Sequence, residues 1–299
     1  MNDKIALLRE LGLLVLLSCL WGSSYTLIKI GIETIPPITL IAARTAIAGA
    51  ILVMVLYARG LRLPSSSQLW KGFALQAILN SVVPFTLIAW AEHHIDAGLA
   101  VVLNSLTPVF TFLLTLLITR HESTSARKLF GVLLGLGGTV VMIGMEALNG
   151  LGSVVLAQLA VVVATVFYAG AAIFGKSFKD IDPMVPAAGS LICGTVMLLP
   201  VSVMVDRPWA LEPSMASLLA LVGLSVFSTA AAFTIYFRLM RTLGSLGATA
   251  QAYLRVPIGV AIGVVFLGEQ LHVTTLIGLV CILTGVVAMT LPKRRIAAV

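Results

Sequence analysis

The sequence predicts an all-α integral membrane protein with ten transmembrane helices in two inverted five-helix repeats. Three observations lead to this prediction. The chain is 59% hydrophobic and only 10% charged, its apolar residues fall in runs long enough to cross a bilayer, and its second half repeats its first. A mean hydropathy of +1.08 is far above that of a water-soluble domain. A water-soluble fold is therefore excluded.

The apolar runs predict the individual spans. A bilayer core about 30 Å thick needs roughly 20 apolar residues per helix. Between charged clusters, such runs predict spans at 11–28, 38–57, 72–90, 97–119, 129–145, 154–174, 184–205, 215–237, 246–267 and 273–291.

The positive charges predict the orientation. Most of the 19 Lys and Arg residues lie at the termini or in alternate loops, as Arg59 and Arg241 do, whereas Lys29 and Arg207 lie on the other side. Because positive residues near span ends are retained in the cytoplasm, both termini are predicted to be cytoplasmic. The basic residues form no patch, so no nucleic-acid partner is expected.

An internal repeat divides the chain into residues 1–149 and 150–299, which together form one transmembrane domain. Positions matched between the halves include Gly131 with Gly278, Gly138 with Gly285, and Pro108 with Pro257. Because each half has five spans, an odd number, the halves must face opposite sides of the membrane. Inverted repeats are the architecture of secondary transporters, so alternating access is the natural inference.

The chain resembles the EamA-type branch of the drug/metabolite transporter superfamily over nearly its whole length. The residues that carry this resemblance are Trp21-Gly22-Ser23-Ser24-Tyr25, Pro37, Arg44, the series Pro108, Glu122, Gly131 and Gly138, and the series Pro257, Gly268-Glu269, Gly278 and Gly285. In the first series, Arg120-His121-Glu122 stands where the family has Gly-Glu. The resemblance implies ten spans, a bacterial inner-membrane location and transport of amino acids, drugs, sugars or other metabolites. Within the family, the chain is similar in length and character to a bacterial amino-acid exporter.

Two arginines lie within predicted spans, where an unpaired cation costs about 2.5 to 3.5 kcal/mol by insertion scales. Arg44 is close enough to the outer end of its span to snorkel to the headgroups, so both a structural and a site role are open. Arg255 is near the centre of its span. We expect Arg255 to line a water-filled cavity and receive an anionic group, with packing against helix carbonyls as the alternative.

Proline residues predict helix kinks. A proline within a helix frees the carbonyl four residues earlier, so Pro108 frees that of Asn104 and Pro257 frees that of Tyr253. Transporters often place their sites at such interruptions. The predicted kink positions are Pro84, Pro108 and Pro257.

Polar and aromatic residues at helical spacing indicate faces that enclose a central cavity. The predicted substrate-binding residues are Trp21, Tyr25, Asn80, Trp90, Asn104, Tyr168, Tyr236, Gln251, Tyr253 and Arg255. Arg255 would meet a substrate carboxylate, and the Asn104 and Tyr253 carbonyls with the faces of Tyr25, Tyr168 or Trp21 would meet its ammonium. Trp90 is alternatively a membrane-interface anchor.

Glycine spacing predicts close helix approach in the fifth and tenth spans, as scaffold or dimer contacts. We therefore expect a monomer or weak homodimer in the lipid bilayer, with a small-molecule substrate. The three cysteines lack metal-ligand spacing, so no metal or cofactor is expected. Paired acids and nucleophile-base pairs at membrane depth are also lacking, so an enzyme is not expected.

The predicted function is export of amino acids and related metabolites from the cytoplasm across an inner membrane. No Asp or Glu lies in the middle of a predicted span, which favours facilitated diffusion over proton coupling. The alternative is export of drugs or other metabolites, with proton coupling through residues such as Glu92, His93, Glu269 or His272, which we otherwise interpret as loop residues.

Overall fold

A computed structural model describes residues 2–119, 126–147, 152–242 and 251–290, and within these ranges the regular structure is entirely helical. The α-helices are α1 (Asn2–Gly31), α2 (Pro37–Ala58), α3 (Ser67–Ala77), α4 (Val83–Ala91), α5 (Ala97–Asn104), α6 (Thr107–Leu114), α7 (Ala126–Ala147), α8 (Ser153–Phe174), α9 (Met184–Val205), α10 (Met215–Ser225), α11 (Ala232–Thr242), α12 (Gln251–Leu267) and α13 (Val273–Thr290).

Several spans contain irregular turns. A π-helical segment at Ile78–Val82 joins α3 to α4, and another at Val226–Ala231 joins α10 to α11. A turn at Ser105 and Leu106 separates α5 from α6, and Pro108 stands in the first turn of α6. π-Helical turns are frequent at functional sites because they re-aim side chains and backbone carbonyls.

Seven helices of the described residues are long and apolar enough to cross a bilayer. They are Leu8–Gly31, Pro37–Ala58, Ser67–Ala91, Ala97–Leu117, Ser153–Phe178, Met184–Val205 and Met215–Tyr236. Shorter apolar helices cover Leu254–Leu267 and Val273–Ala288. The protein is thus a multi-pass membrane protein, and the count of ten spans stays a prediction.

The helices pack in pairs that are distant in sequence. The main neighbours are α7 with α13, α2 with α9, α1 with α12, and α4 with α8. Gly285 lies so close to α7 that a Cβ there would be 2.5 Å from the Gly131 carbonyl oxygen. A Cβ at Gly138 would be 3.1 Å from the Gly278 carbonyl oxygen. The glycines of the fifth and tenth predicted spans therefore pack on each other within the chain.

Four turns meet at one end of the bundle, which we name the Glu92 end: residues 32–36, 92–96, 206–214 and 268–272. Hydrogen bonds connect them, since the Ser214 N–H donates to Thr34 Oγ1 at 3.0 Å and the Ala97 N–H donates to Glu269 Oε1 at 2.6 Å. At the opposite end, Arg238 forms an ion pair with Glu10 at 2.7 Å.

Candidate functional site

Tyr25 and Asn104 form the polar centre of the bundle. Their side chains are 4% and 3% exposed, and Asn104 Nδ2 donates to the Tyr25 hydroxyl. Asn104 Oδ1 has no hydrogen-bond partner among the described residues. A buried acceptor without a partner costs about 1–3 kcal/mol, so this atom is suited to receive a ligand donor. Two predicted site residues are thus in direct contact.

The backbone carbonyl of Asn104 is less available than the sequence suggests. Pro108 cannot donate to it, as predicted, but the Thr107 hydroxyl does, at 2.8 Å. The helix is interrupted here, at Ser105 and Leu106. By contrast, α12 continues without interruption through Pro257, and Pro84 lies in the first turn of α4, directly after a π-helical segment.

Arg44 also belongs to this centre, and the snorkelling role considered for it is wrong. Its side chain is 5% exposed, and Nε donates to Thr229 Oγ1 at 2.9 Å. The guanidinium lies 3.8 Å from the centroid of the Phe85 ring. Packing from α4 and the π-helical segment at Val226–Ala231 therefore holds the side chain inside the bundle, although its depth along α2 allowed it to reach the headgroups.

Arg255 and Tyr168 complete the group. Arg255 is half-buried, and its Nε is buried without a hydrogen-bond partner in the described part of the chain. The Tyr168 ring lies 6.3 Å from the Phe85 ring on which Arg44 packs, and both arginines are within electrostatic reach of the Tyr25 and Tyr168 hydroxyls. We call Tyr25, Arg44, Asn104, Tyr168 and Arg255 the central cluster. It combines two cations, two hydroxyls and an amide within a largely apolar bundle.

An aromatic group adjoins the central cluster on α1. The ring of Trp21 lies 5.3 Å from that of Tyr236 and 6.2 Å from that of Phe233. Gln251 is 8% exposed, and its backbone carbonyl accepts from Ser18 Oγ at 3.3 Å. Tyr236 and Gln251, from other helices, thus lie beside the part of α1 that contains Trp21 and precedes Tyr25.

Two predicted site residues, Asn80 and Trp90, form no hydrogen bond or ring contact with this group in the described part of the chain. Asn80 is half-buried in the π-helical segment Ile78–Val82. Trp90 is 39% exposed, and its ring lies 5.3 Å from that of His94, a position that suits a membrane-interface anchor. The side chain of Tyr253 lies outside the described part of the structure.

Glu92 is a buried group that sequence reasoning interpreted as a loop residue. It follows directly after α4, is 0% exposed, and neither carboxyl oxygen has a hydrogen-bond partner among the described residues. Burial raises the pKa of Glu92 well above its usual range; Lys29 and Arg44 act against this, and Glu269 acts with it. Its position at the end of a span gave no signal of burial.

Among the described residues, no group of three or more His, Cys, Asp or Glu side chains is arranged so that it could hold a metal ion. The three cysteines are free thiols. The chemistry available in the central cluster is therefore hydrogen bonding, charge and aromatic contact, which serve noncovalent recognition of a polar small molecule.

Comparison with known proteins identifies the family. The EamA-like transporter family model matches residues 9–144 and matches again over residues 155–291. The chain belongs to the EamA-like transporter family. It is therefore a membrane transporter and not an enzyme. The family matches the chain twice in succession, which means that both segments carry the same sequence pattern.

Relatives of this EamA-like transporter span nearly its full length. The uncharacterized inner membrane transporter YedA of Escherichia coli K12 is 28% identical and covers 96% of this chain and 92% of its own length. The uncharacterized transporter YoaV of Bacillus subtilis is 25% identical over 94% and 97%. A "Probable terminal-alkyne amino-acid exporter" of Streptantibioticus cattleyicolor is 26% identical over 95% of each chain. A crystal structure that is 21% identical over 93% of this chain and 96% of its own has the same fold, with a TM-score of 0.65.

Proposed function

We propose that this transporter exports amino acids and related small metabolites from the cytoplasm across the inner membrane, by alternating access around the central cluster. The observation that carries the proposal is the set of unsatisfied polar atoms there: Asn104 Oδ1 and Arg255 Nε have no partner among the described residues. An amino acid matches both, since its carboxylate accepts from a guanidinium and its ammonium donates to an amide oxygen. The rings of Tyr25, Tyr168 and Trp21 would contact its side chain.

Inverted repeats over residues 1–149 and 150–299 are part of this proposal. Gly138 approaches Gly278, and Gly285 approaches Gly131. Gly131 is matched with Gly278 in the internal repeat, and Gly138 with Gly285. If each glycine is replaced by its match in the other half, the first contact becomes the second. Because these contacts run in opposite directions along α7 and α13, the two helices are antiparallel. Both the exchange of contacts and the antiparallel packing support a two-fold axis in the membrane plane.

The orientation follows from charge. The excess of Lys and Arg on one side supports cytoplasmic termini, which would make the Glu92 end external. The E. coli relative is named as an inner membrane transporter, which supports the same location here. The intrachain packing of the α7 and α13 glycines favours a monomer over a dimer formed through that face.

Amino-acid export is favoured by the relative named as a "Probable terminal-alkyne amino-acid exporter". The alternative is export of drugs or other metabolites. A site for cationic drugs would need an acidic residue among the aromatic rings, and the acidic residues within reach of the central cluster are confined to the Glu92 end in the described structure. Transport is proposed to be facilitative, since no Asp or Glu lies in the middle of a predicted span.

Purified protein in liposomes would test this proposal by uptake of a labelled amino-acid panel, with protein-free liposomes as the blank and with or without a pH gradient. We expect saturable uptake without the gradient. Arg255→Ala should reduce uptake at unchanged folded yield, whereas the exposed loop variant Arg59→Ala should not. If folded wild-type protein takes up no amino acid, the drug or other-metabolite alternative replaces this proposal; if uptake requires the gradient, the facilitative part is wrong.

A further inference from the structure

Arg44 is a buried cation of the central cluster to which the proposed function assigns no group of the substrate. Its side chain is 5% exposed, yet the described residues place no carboxylate within ion-pair distance of it. An unpaired buried charge costs several kcal/mol. An ionisable residue inside a membrane span is therefore a candidate for ligand contact, with the ligand supplying the opposite charge.

The contacts of Arg44 orient the guanidinium without neutralising it. The Thr229 hydroxyl donates to the Leu224 carbonyl at 2.8 Å, so its lone pairs are directed toward Arg44 Nε. The Phe85 ring lies 3.8 Å from the guanidinium carbon and holds the plane of the group. No described residue forms a hydrogen bond with Nη1 or Nη2, so this edge is available for two parallel bonds to one carboxylate.

The charge balance of the central cluster is positive. Arg44 and Arg255 both act on the hydroxyls of Tyr25 and Tyr168, and neither forms an ion pair with a described residue. Among the described residues, the acid within electrostatic reach of Arg44 is Glu92. Glu92 forms no ion pair with either arginine in the described structure, and its burial without a hydrogen-bond partner disfavours the charged carboxylate.

A zwitterionic amino acid would satisfy this cluster incompletely. Its single carboxylate can pair with one arginine, while its ammonium adds a third positive charge. A substrate with two carboxylates can instead pair with both guanidinium groups and leave Asn104 Oδ1 and the tyrosine rings for the rest of the molecule. The electrostatic match is therefore better for a net anion.

We propose that Arg44 binds a second carboxylate of the substrate, so that the transporter selects small dicarboxylates, including acidic amino acids, over zwitterions and cations. This inference rests on the proposed transport function and on the central cluster as its site. Thr229 and Phe85 are positioning residues, which act by holding the guanidinium.

The test uses two readouts on the purified full chain. One is ligand-induced thermal stabilisation in detergent, which needs no transport, and the other is competition with labelled glutamate uptake in liposomes. The probes are glutamate, aspartate, succinate, alanine and lysine at one pH. We expect glutamate and succinate to act at concentrations about tenfold to a hundredfold lower than alanine, the range for one charge-assisted hydrogen-bonded pair.

Variants then assign the effect to Arg44. Arg44→Gln should abolish the preference for dicarboxylates, and Thr229→Val should reduce it because the guanidinium loses its hydrogen-bonded anchor. Arg59→Gln, which removes an exposed arginine after α2, should leave it intact. If Arg44→Gln does not fold, the wild-type probe profile and Thr229→Val still decide the question.

The outcomes separate this inference from the proposed function. Equal action of alanine and glutamate on the wild type, or an unchanged preference in Arg44→Gln, overturns the inference and leaves amino-acid export standing. Thermal stabilisation by succinate, with no stabilisation by the amino acids and no uptake of labelled glutamate, supports the inference and overturns the amino-acid class. Failure of all five probes in both readouts overturns both.

Discussion

The Lys29 ammonium donates hydrogen bonds to the backbone carbonyl oxygens of Glu92 and Ile95, the latter at 2.8 Å. The Glu92 carboxyl remains without a partner among the described residues. Lys29 thus places a cation at the C-terminal end of α4, where the helix dipole favours it. On the other side of the same turn, Glu269 accepts from the Ala97 and Gly98 N–H groups at 2.6 and 2.9 Å. Residues 92–96 are held from both sides.

Opening of the Glu92 end should depend on pH through Glu92. Burial keeps the pKa of this carboxyl well above its usual range, and exposure to water would return it to about 4. We call the arrangement with Glu92 buried closed, and one with Glu92 in water open. At a pH between these two pKa values, the closed arrangement holds one more proton than the open one. Rising pH therefore favours opening by about tenfold per pH unit in that window, and there is no dependence below it.

The measurement is the labelling rate of Ile95→Cys by a membrane-impermeant maleimide, in a background where the native cysteines are replaced by serine. Ile95 is 4% exposed in the closed arrangement. Rates are divided by those of Glu33→Cys, an exposed position, to remove the pH dependence of the thiol itself. Glu92→Gln should abolish the slope. A slope that survives unchanged in Glu92→Gln would contradict this role. A slope of opposite sign, with opening favoured as pH falls, would be assigned to His93, whose pKa is lowered mainly by burial and further by His94 and Lys29.

Removal of the Glu269 carboxylate should destabilise the fold. Glu269→Ala leaves the two N–H groups at the start of α5 without their acceptor, at a cost of about 2 kcal/mol. The expected result is a lower Tm of the purified protein in detergent. Glu33→Ala, an exposed acid at the same end, is the matched control and should leave Tm unchanged. Equal Tm values for both variants would contradict this role.

Close packing of α7 and α13 should make Gly285 intolerant of a side chain. A Cβ there would be 2.5 Å from the Gly131 carbonyl oxygen, so Gly285→Ala must separate two backbones, and we expect a loss of about 1–3 kcal/mol. A Cβ at Gly137 would meet no atom of another helix within 4 Å, so Gly137→Ala should be neutral or slightly stabilising. Thermal unfolding of both variants checks this, and a similar effect at both positions would exclude the close approach.

Loss of the Tyr25 hydroxyl should weaken substrate binding more than it weakens the fold. Tyr25→Phe removes the acceptor of Asn104 Nδ2, which frees the amide to rotate away from its ligand-facing position. We expect a higher KM for the transported substrate and a stability loss of about 1–3 kcal/mol. Tyr57→Phe is the control, since Tyr57 is 53% exposed. A KM equal to the wild-type value would remove Tyr25 from the site.

The amino-acid sequence by itself determined that this chain is a helical membrane protein with a repeated half. Both are local properties: an apolar run long enough to cross a bilayer has to be helical there, because lipid offers no partner for its backbone groups. The polar positions Tyr25, Asn104, Tyr168 and Arg255 were predictable for a similar reason, since polar groups in apolar spans avoid lipid.

Only the tertiary structure decided which of the polar residues meet and which are buried. Arg44 could reach the headgroups from its depth in α2, and it lies inside because Phe85 and Thr229, from other spans, pack on it. Glu92 ends a span, yet it is buried because the turn it begins is held between Lys29 and Glu269. Burial is set by neighbouring helices far away in the chain, and neither residue type nor depth along one helix contains that information.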